Sequence, residues 1–383
     1  MNAFDYQPRT RIVFGGDRVD ELGQLAAELG ARRALVVTDP GIVAAGHTAR
    51  GIASLEAAGL SATLFDGVHE NPTTDDVEAG LIAAQSWGPD LIVGLGGGSS
   101  MDCAKGINFL LTSGGRMQDY WGVGKARQAM LPMIAVPTTA GTGSEAQSFA
   151  LITDAETHEK MACGDKRAAF RVAILDPKLT LTQPDSVTAL TGIDAIAHAL
   201  ETYVTRVRNP ASVAFSREAW RLLGESFARV LADGDDLEAR SGMQLGACFA
   251  GLAIENSMLG AAHALANPLT ANYGIVHGQA VGAMLPHVIR YNGQHHGSWY
   301  RELLEVTEGI NGCPAADSGP EGLADYVTRL AEQAGLSSRL TDLGVESGRL
   351  DKLAAEAATQ WTGTFNPRKV NQEELLEIYE TAF

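Results

Sequence analysis

Four residues in the middle of this chain have the types and spacing of a metal site: Asp194 and His198 in TGIDAIAHALETYV, His263 in GAAHALANPL, and His277 in GIVHGQAVG. Three imidazoles and one carboxylate can hold a divalent cation that polarises a bound oxygen and shifts its proton equilibrium. Asp194 and His198 are four positions apart in a run of Ala, Leu and Ile, so a helix carries both on one face. Between His263 and His277 stand Pro268 and Gly274. Both interrupt a helix, which favours a helix–loop–helix with one ligand on each arm. A lone histidine on an apolar face is more often a hydrogen-bonded core or surface residue than a ligand. The Asp-x-x-x-His pair and a second, independent signal upstream tip the balance.

That second signal is PDLIVGLGGGSSMD, residues 89–102, followed by CAKGINFLLT. A short apolar run ends in glycines and passes into a helical pattern, the strand, tight turn and helix that present backbone N–H groups to phosphate. A side chain in the turn would hold a pyrophosphate off the backbone. No Gly-Lys-Ser/Thr follows, so the run is not a Walker A loop, and Gly94-x-Gly96-x-x-Ser99 is an incomplete dinucleotide fingerprint. Two further buried-strand patterns flank it. Residues 33–38 end at Asp39, a carboxylate placed to accept the ribose 2′-hydroxyl of NAD and to repel the 2′-phosphate of NADP. Residues 133–136 lead into PTTAGTGSE, residues 137–145, a hydroxyl- and glycine-rich turn able to supply donors to a nucleotide.

In combination and in order, these motifs resemble the iron-containing (group III) alcohol dehydrogenases, and the likeness runs along essentially the whole chain. It rests on Gly96-Gly97-Gly98-Ser99 with Asp102, on residues 137–145, on Thr191-Gly192-x-Asp194-x-x-x-His198, and on His263 with His277-Gly278. The resemblance implies an N-terminal nucleotide-binding α/β domain and an all-helical C-terminal domain, the architecture shared with dehydroquinate synthase, with the metal in the cleft between them. It also matches Asp194, His198, His263 and His277 with the metal ligands. For the cofactor the candidates are Asp39, Asn71, Gly97, Gly98, Ser99, Asp102, Thr138, Thr139, Thr142, Ser144, Phe149, Leu151 and Lys160, the last by resemblance only, with Phe149 either walling the nicotinamide or filling the core as an ordinary aromatic. NAD is expected before NADP. Fe²⁺ is the first choice by resemblance and Zn²⁺ the alternative, since Zn²⁺ usually keeps three protein ligands in catalytic sites yet binds more tightly in the Irving–Williams order.

One position departs from that pattern. Many members carry a further histidine four residues after the third ligand, whereas this chain has Ala266-Asn267. Asparagine can hydrogen-bond a substrate but is neither acid nor base near neutral pH. Asn267 is therefore read as a substrate-pocket residue, and the proton must travel through water and the nicotinamide ribose, or the substrate must differ. The expected reaction is hydride transfer between a small primary alcohol, its pKa lowered by the cation, and C4 of the nicotinamide. Two other classes share part of the pattern. A lyase of the dehydroquinate synthase type needs basic residues for a phosphorylated substrate, and few lie near the ligand segments; a metal-dependent hydrolase would need no dinucleotide.

The elements that must position these residues are legible at coarse resolution. With 383 residues, 45% of them hydrophobic, the chain exceeds one ordinary core, and two domains are predicted, 1–180 and 181–383. Residues from about 10 to 175 alternate β-branched runs with helical stretches at 19–29 and 43–58, as parallel βαβ units do. Residues 171–175 read as the last strand. Beyond Pro184, where Asp185 or Ser186 can cap a helix, the patterns are mainly helical, and 292–297 reads as a loop with solvated His295 and His296. The net charge of −17 disfavours nucleic acid as a partner. Cys103, Cys163, Cys248 and Cys313 form no CxxC pair, which suits a reducing cytoplasm. There is no apolar run of membrane-spanning length, and no signal-peptide pattern opens the chain. A homodimer or larger homo-oligomer is expected by resemblance.

Overall fold

The computed structural model describes residues 3–310 and 312–383. The chain divides into two compact units. One comprises 7–139 and 143–183; the other comprises 184–383, the short stretch Ala140–Thr142, and a few N-terminal residues through Tyr6.

The first unit is α/β. Its strands are β1 (Arg11–Phe14), β2 (Arg33–Val37), β3 (Ser61–Phe65), β4 (Leu91–Gly96), β5 (Gly122–Val123), β6 (Met133–Pro137), β7 (Phe149–Thr153), β8 (Lys160–Gly164) and β9 (Val172–Leu175). Its helices are α1 (Leu22–Glu28), α2 (Pro40–Ala44), α3 (His47–Ala57), α4 (Thr74–Trp87) and α5 (Gly98–Ser113). Six strands form a parallel sheet in the order β1-β9-β6-β4-β2-β3. Strands β4, β6 and β9 are buried along their whole length. That burial explains their unbroken apolar sequences, because a parallel strand is covered on both faces. Since β6, β4 and β2 are neighbours and parallel, the segments that follow them, 138–139, 97–99 and 38–39, emerge at the same end of the sheet. A second sheet, β5-β8-β7, contains an antiparallel β7–β8 pair. The βαβ pattern gives no hint of it.

The second unit is helical: α6 (Asp185–Tyr203), α7 (Pro210–Ala232), α8 (Leu237–Asn256), α9 (Ala261–Tyr273), α10 (His277–Val306), α11 (Gly319–Gln333), α12 (Leu350–Ala358) and α13 (Gln372–Ala382). Its core joins Ile193, Ile196 and Leu200 of α6 to Trp220, Leu265, Met284, Leu303 and Tyr379. Two of its largest aromatics also have their polar atoms satisfied, Trp220 Nε1 donating to the Leu303 carbonyl at 3.0 Å and Tyr379 OH to the Leu265 carbonyl at 2.5 Å. Among the described residues no single helix is long and apolar enough to cross a membrane.

Several local expectations are corrected. The stretch 43–58 is two helices, broken where Gly46 takes φ 82°, and 19–29 begins as a 3₁₀ turn, Arg18–Glu21. Neither Asp185 nor Ser186 caps α6; Pro184 occupies the N-cap position and no side-chain cap forms. Pro268 lies inside α9 without ending it, and the break falls at Gly274, with φ 66°. Residues 292–297 are interior to α10, distorted only at His296. Tertiary packing has overridden local preference in the last two cases, where Pro268 and Asn292 are both buried.

Candidate functional site

Asp194, His198 and Glu201 occupy positions i, i+4 and i+7 of α6 and so form one stripe. Facing them, α9 carries His263 in its first turn and α10 begins at His277. The helices approach closely. A Cβ on Gly278 would lie 2.2 Å from the Leu190 carbonyl oxygen of α6, so only glycine lets the first turn of α10 rest there and bring His277 beside Asp194. Asp194 Oδ1 is 3.3 Å from His263 Nε2, 3.6 Å from His198 Nε2 and 3.8 Å from His277 Nε2. Ligand atoms of Asp194, His263 and His277 lie mutually within 4.8 Å. His198 stands beside this triplet, its ring stacked on that of His263 with centroids 4.9 Å apart.

The donor set fits a divalent cation. Two ligand atoms each about 2.1 Å from a central ion at a tetrahedral angle stand about 3.4 Å apart, close to the spacings found. Asp194 Oδ1 and His263 Nε2 are buried and make no hydrogen bond of acceptable geometry, despite their 3.3 Å separation. Leaving such groups unpaired costs on the order of 1–3 kcal/mol each, and a cation gives both lone pairs a partner. Burial works to raise the Asp194 pKa, but His198, His263 and His277 outweigh it and hold the carboxyl well below its usual range. Burial lowers the His198 pKa. At His263 burial is overcome by the Glu201 and Asp194 carboxylates, and the pKa is pushed up to about 9. The pocket attracts positive charge.

Glu201 escaped the sequence reading. Its buried carboxylate contacts His263 Nδ1 at 2.5 Å through Oε2 and accepts from the Ala262 backbone N–H at 2.7 Å through Oε1. The signal was present as a carboxylate three residues after His198, on the face already assigned to ligands.

In the α/β unit, α5 starts at the end of β4 with Gly97 as N-cap and no side-chain cap. Its first-turn N–H groups point out with the positive end of the helix dipole, suited to an anion. Residues separated in sequence gather there. Ser99 Oγ accepts from the Asn71 backbone N–H at 3.2 Å, and Lys160 Nζ donates to Asn71 Oδ1 at 3.2 Å. The β6 turn closes up as well, Thr138 N bonding Gly96 O at 3.0 Å, and a Cβ on Gly97 would lie 3.4 Å from the Thr139 methyl carbon. Thr138 Oγ1 is buried without a partner. Asp39 has structural duties at this end: Oδ1 caps α2 through the Ile42 N–H at 3.1 Å, and Oδ2 accepts from Ser100 Oγ at 3.3 Å.

Asp102 and Ser144 face inward. Asp102 Oδ1 accepts from Ser144 Oγ at 2.6 Å, and Oδ2 from the Leu151 N–H at 3.2 Å. Between them lies Lys105, fully buried, whose Nζ donates to Ser144 Oγ at 2.7 Å, Ser144 O at 2.9 Å and Phe149 O at 2.6 Å. This network ties the turn after β6 and the start of β7 to α5. Lys105 was not among the candidate residues either, although it lies one turn after Asp102. Phe149 packs its ring where a Cβ on Gly164 would come within 2.4 Å, the Leu151 side chain is exposed, and Thr142 belongs to the stretch that groups with the helical unit. In that unit Asn267, one turn after His263 on α9, donates from Nδ2 to Gln360 Oε1 at 2.9 Å.

Two family models match consecutive parts of the chain, iron-containing alcohol dehydrogenase over residues 8–177 and the C-terminal part of the Fe-containing alcohol dehydrogenase family over 188–383. A 1,3-propanediol dehydrogenase of Klebsiella pneumoniae is 35% identical over 383 residues, covering 99% of each chain. Among solved structures, a 1,3-propanediol oxidoreductase superposes with a TM-score of 0.94 at 35% identity over the full length of both chains. A sulfoacetaldehyde reductase from Bifidobacterium kashiwanohense in complex with NAD⁺ has a TM-score of 0.90 at 27% identity, covering 100% of this chain and 99% of its own.

Proposed function

The chain belongs to the iron-containing alcohol dehydrogenase family, and on that premise we propose that it interconverts a small primary alcohol and its aldehyde with NAD as the hydride partner, using a divalent cation, iron before zinc, at the Asp194 cluster. The observation that carries the reading is the buried Asp194 carboxylate, unpaired at Oδ1 and ringed by imidazole nitrogens at 3.3–3.8 Å. When bound, the cation supplies positive charge that polarises the substrate oxygen, and the nicotinamide gives or takes hydride.

The chain contributes position and charge. Asp194, His198, His263 and His277 are the residues that would hold the cation, and Asp194, kept ionised by its histidine neighbours, supplies the anionic ligand. At the other subsite the uncapped start of α5 receives the pyrophosphate on backbone N–H groups. Asp39 accepts the ribose 2′-hydroxyl and disfavours the NADP phosphate, while the Asp102–Lys105–Ser144 network holds the neighbouring turn still. Asn267, its amide oriented by Gln360, hydrogen-bonds substrate but moves no proton. A solved relative contains NAD⁺, which supports the cofactor. Free cysteines support a reducing cytoplasm for the protein, and a homo-oligomer follows from family resemblance.

Absorbance at 340 nm tests this. Iron-loaded protein with NAD and short primary alcohols, including 1,3-propanediol, should produce NADH, and chelator-stripped protein should not. His277→Ala should abolish turnover while leaving NAD affinity, read by fluorescence titration, nearly intact. NADH production indifferent to chelation, or normal turnover of His277→Ala at full iron occupancy, would refute the reading.

A further inference from the structure

We infer that Glu201 is a positioning residue for the cation, setting the tautomer and ring plane of His263 while anchoring the helix that carries it. The inference rests on the cluster being a cation site. An imidazole that binds a cation through Nε2 must carry its proton on Nδ1, and an acceptor at Nδ1 selects that tautomer. Glu201 Oε2 is that acceptor, 2.5 Å from His263 Nδ1. His263 Nε2 then turns its lone pair toward Asp194 Oδ1, 3.3 Å away, in the one direction where it finds no protein hydrogen bond.

The other oxygen explains why the ring cannot swing. The N-cap of α9 is Gly260, which offers no side-chain cap, so the first N–H groups of the helix need outside acceptors. Glu201 Oε1 takes the Ala262 N–H at 2.7 Å, and Asn366 Oδ1 takes that of Ala261 at 3.4 Å. A Cβ at residue 260 would stand 3.1 Å from both acceptor oxygens, so glycine clears their approach. Asn366 is itself held by a reciprocal amide pair with Asn292 of α10, at 2.8 and 2.9 Å. One buried carboxylate on α6 therefore fixes both the backbone and the ring of a proposed ligand on α9, and only the His263 ring separates it from the cation position. A carboxylate can serve two N–H donors at once; an amide in its place cannot, because one of its ends is itself a donor.

Glu201→Gln is the test. If its NH₂ faces His263, the ring must accept at Nδ1 and carry its proton on Nε2, which removes the lone pair. If its NH₂ faces Ala262, two donors collide at the start of α9. Co²⁺ or Zn²⁺ affinity of the metal-free protein, measured by competition with a chromophoric chelator, should fall 10–100-fold, and the visible band of the Co²⁺ form should shift. Glu201→Asp, which keeps the charge but shortens the reach, is the second variant should the first not fold; its affinity should fall and its Co²⁺ band shift in the same direction. Wild-type affinity and an unchanged Co²⁺ spectrum in a folded variant, whatever its melting temperature, would leave Glu201 only a helix anchor and overturn the inference. Failure of the unaltered protein to bind either ion would instead sink the cation site itself.

Discussion

Gly278→Ala tests whether the close approach of two helices builds the cation site. The new methyl would stand 2.2 Å from the Leu190 carbonyl oxygen, while ordinary contact begins at 3.4 Å, so the first turn of α10 must retreat by about 1 Å. Overpacking of this kind costs about 1–3 kcal/mol, and the upper end applies because the obstacle is backbone rather than a side chain that can rotate. For a unit of this size about 3 kcal/mol lowers the melting temperature by roughly 6–12 °C. His277, the preceding residue, must move with the turn, whereas coordination tolerates only about 0.2 Å. Cation affinity should therefore drop at least tenfold, equivalent to about 1.4 kcal/mol. The assay pairs thermal unfolding in chelator with chelator competition for Zn²⁺. Gly282→Ala is the control, since a Cβ there meets only the Ile193 side chain, at 3.2 Å, and should cost little. Unchanged stability and affinity in Gly278→Ala, or equal effects in both variants, would refute the argument.

Asp39→Gly should raise the NADP to NAD activity ratio by removing the carboxylate that disfavours a 2′-phosphate. It should also cost about 1 kcal/mol or less through the lost cap on α2; an unchanged ratio removes Asp39 from the ribose subsite. His287 gives a pH prediction. Burial, aided by Arg290, depresses its pKa to about 4, so between about pH 4 and the ordinary histidine value the unfolded chain binds a proton that the folded chain does not, and stability falls as pH drops through that window. His287→Gln should recover about 1–2 kcal/mol at pH 5 relative to pH 7 in urea titrations, and parallel pH profiles for the two proteins would show that this ring does not sense acid.

What could be read from the residues beforehand followed from short-range rules. Asp194 and His198 share a helical face by spacing alone, and Leu91–Gly96 announces a covered strand and glycine turn because both faces are apolar. The α/β and helical characters of the two parts were equally plain. Local rules fall short where a partner distant in the chain overrides local preference. Pro268 breaks an isolated helix, yet in α9 it is buried and the helix continues past it to Tyr273. The sequence at 292–297 looks polar and turn-like, but Asn292 is drawn into α10 by its amide pair with Asn366, 74 residues away. Asp102 and Ser144 are recognisable as neighbours of the glycine turn, but their mutual hydrogen bond and the buried Lys105 beside it follow from no spacing rule. Glu201 was visible as a stripe position, but its partner lies 62 residues along.

The unequal exposure of the cluster bears on how it is filled. Asp194, His198 and His263 are sealed at 10% side-chain exposure or less, while His277 shows 30%. Of the four proposed ligands His277 is the most open to solvent, so an ion bound there would enter and leave past the first residue of α10.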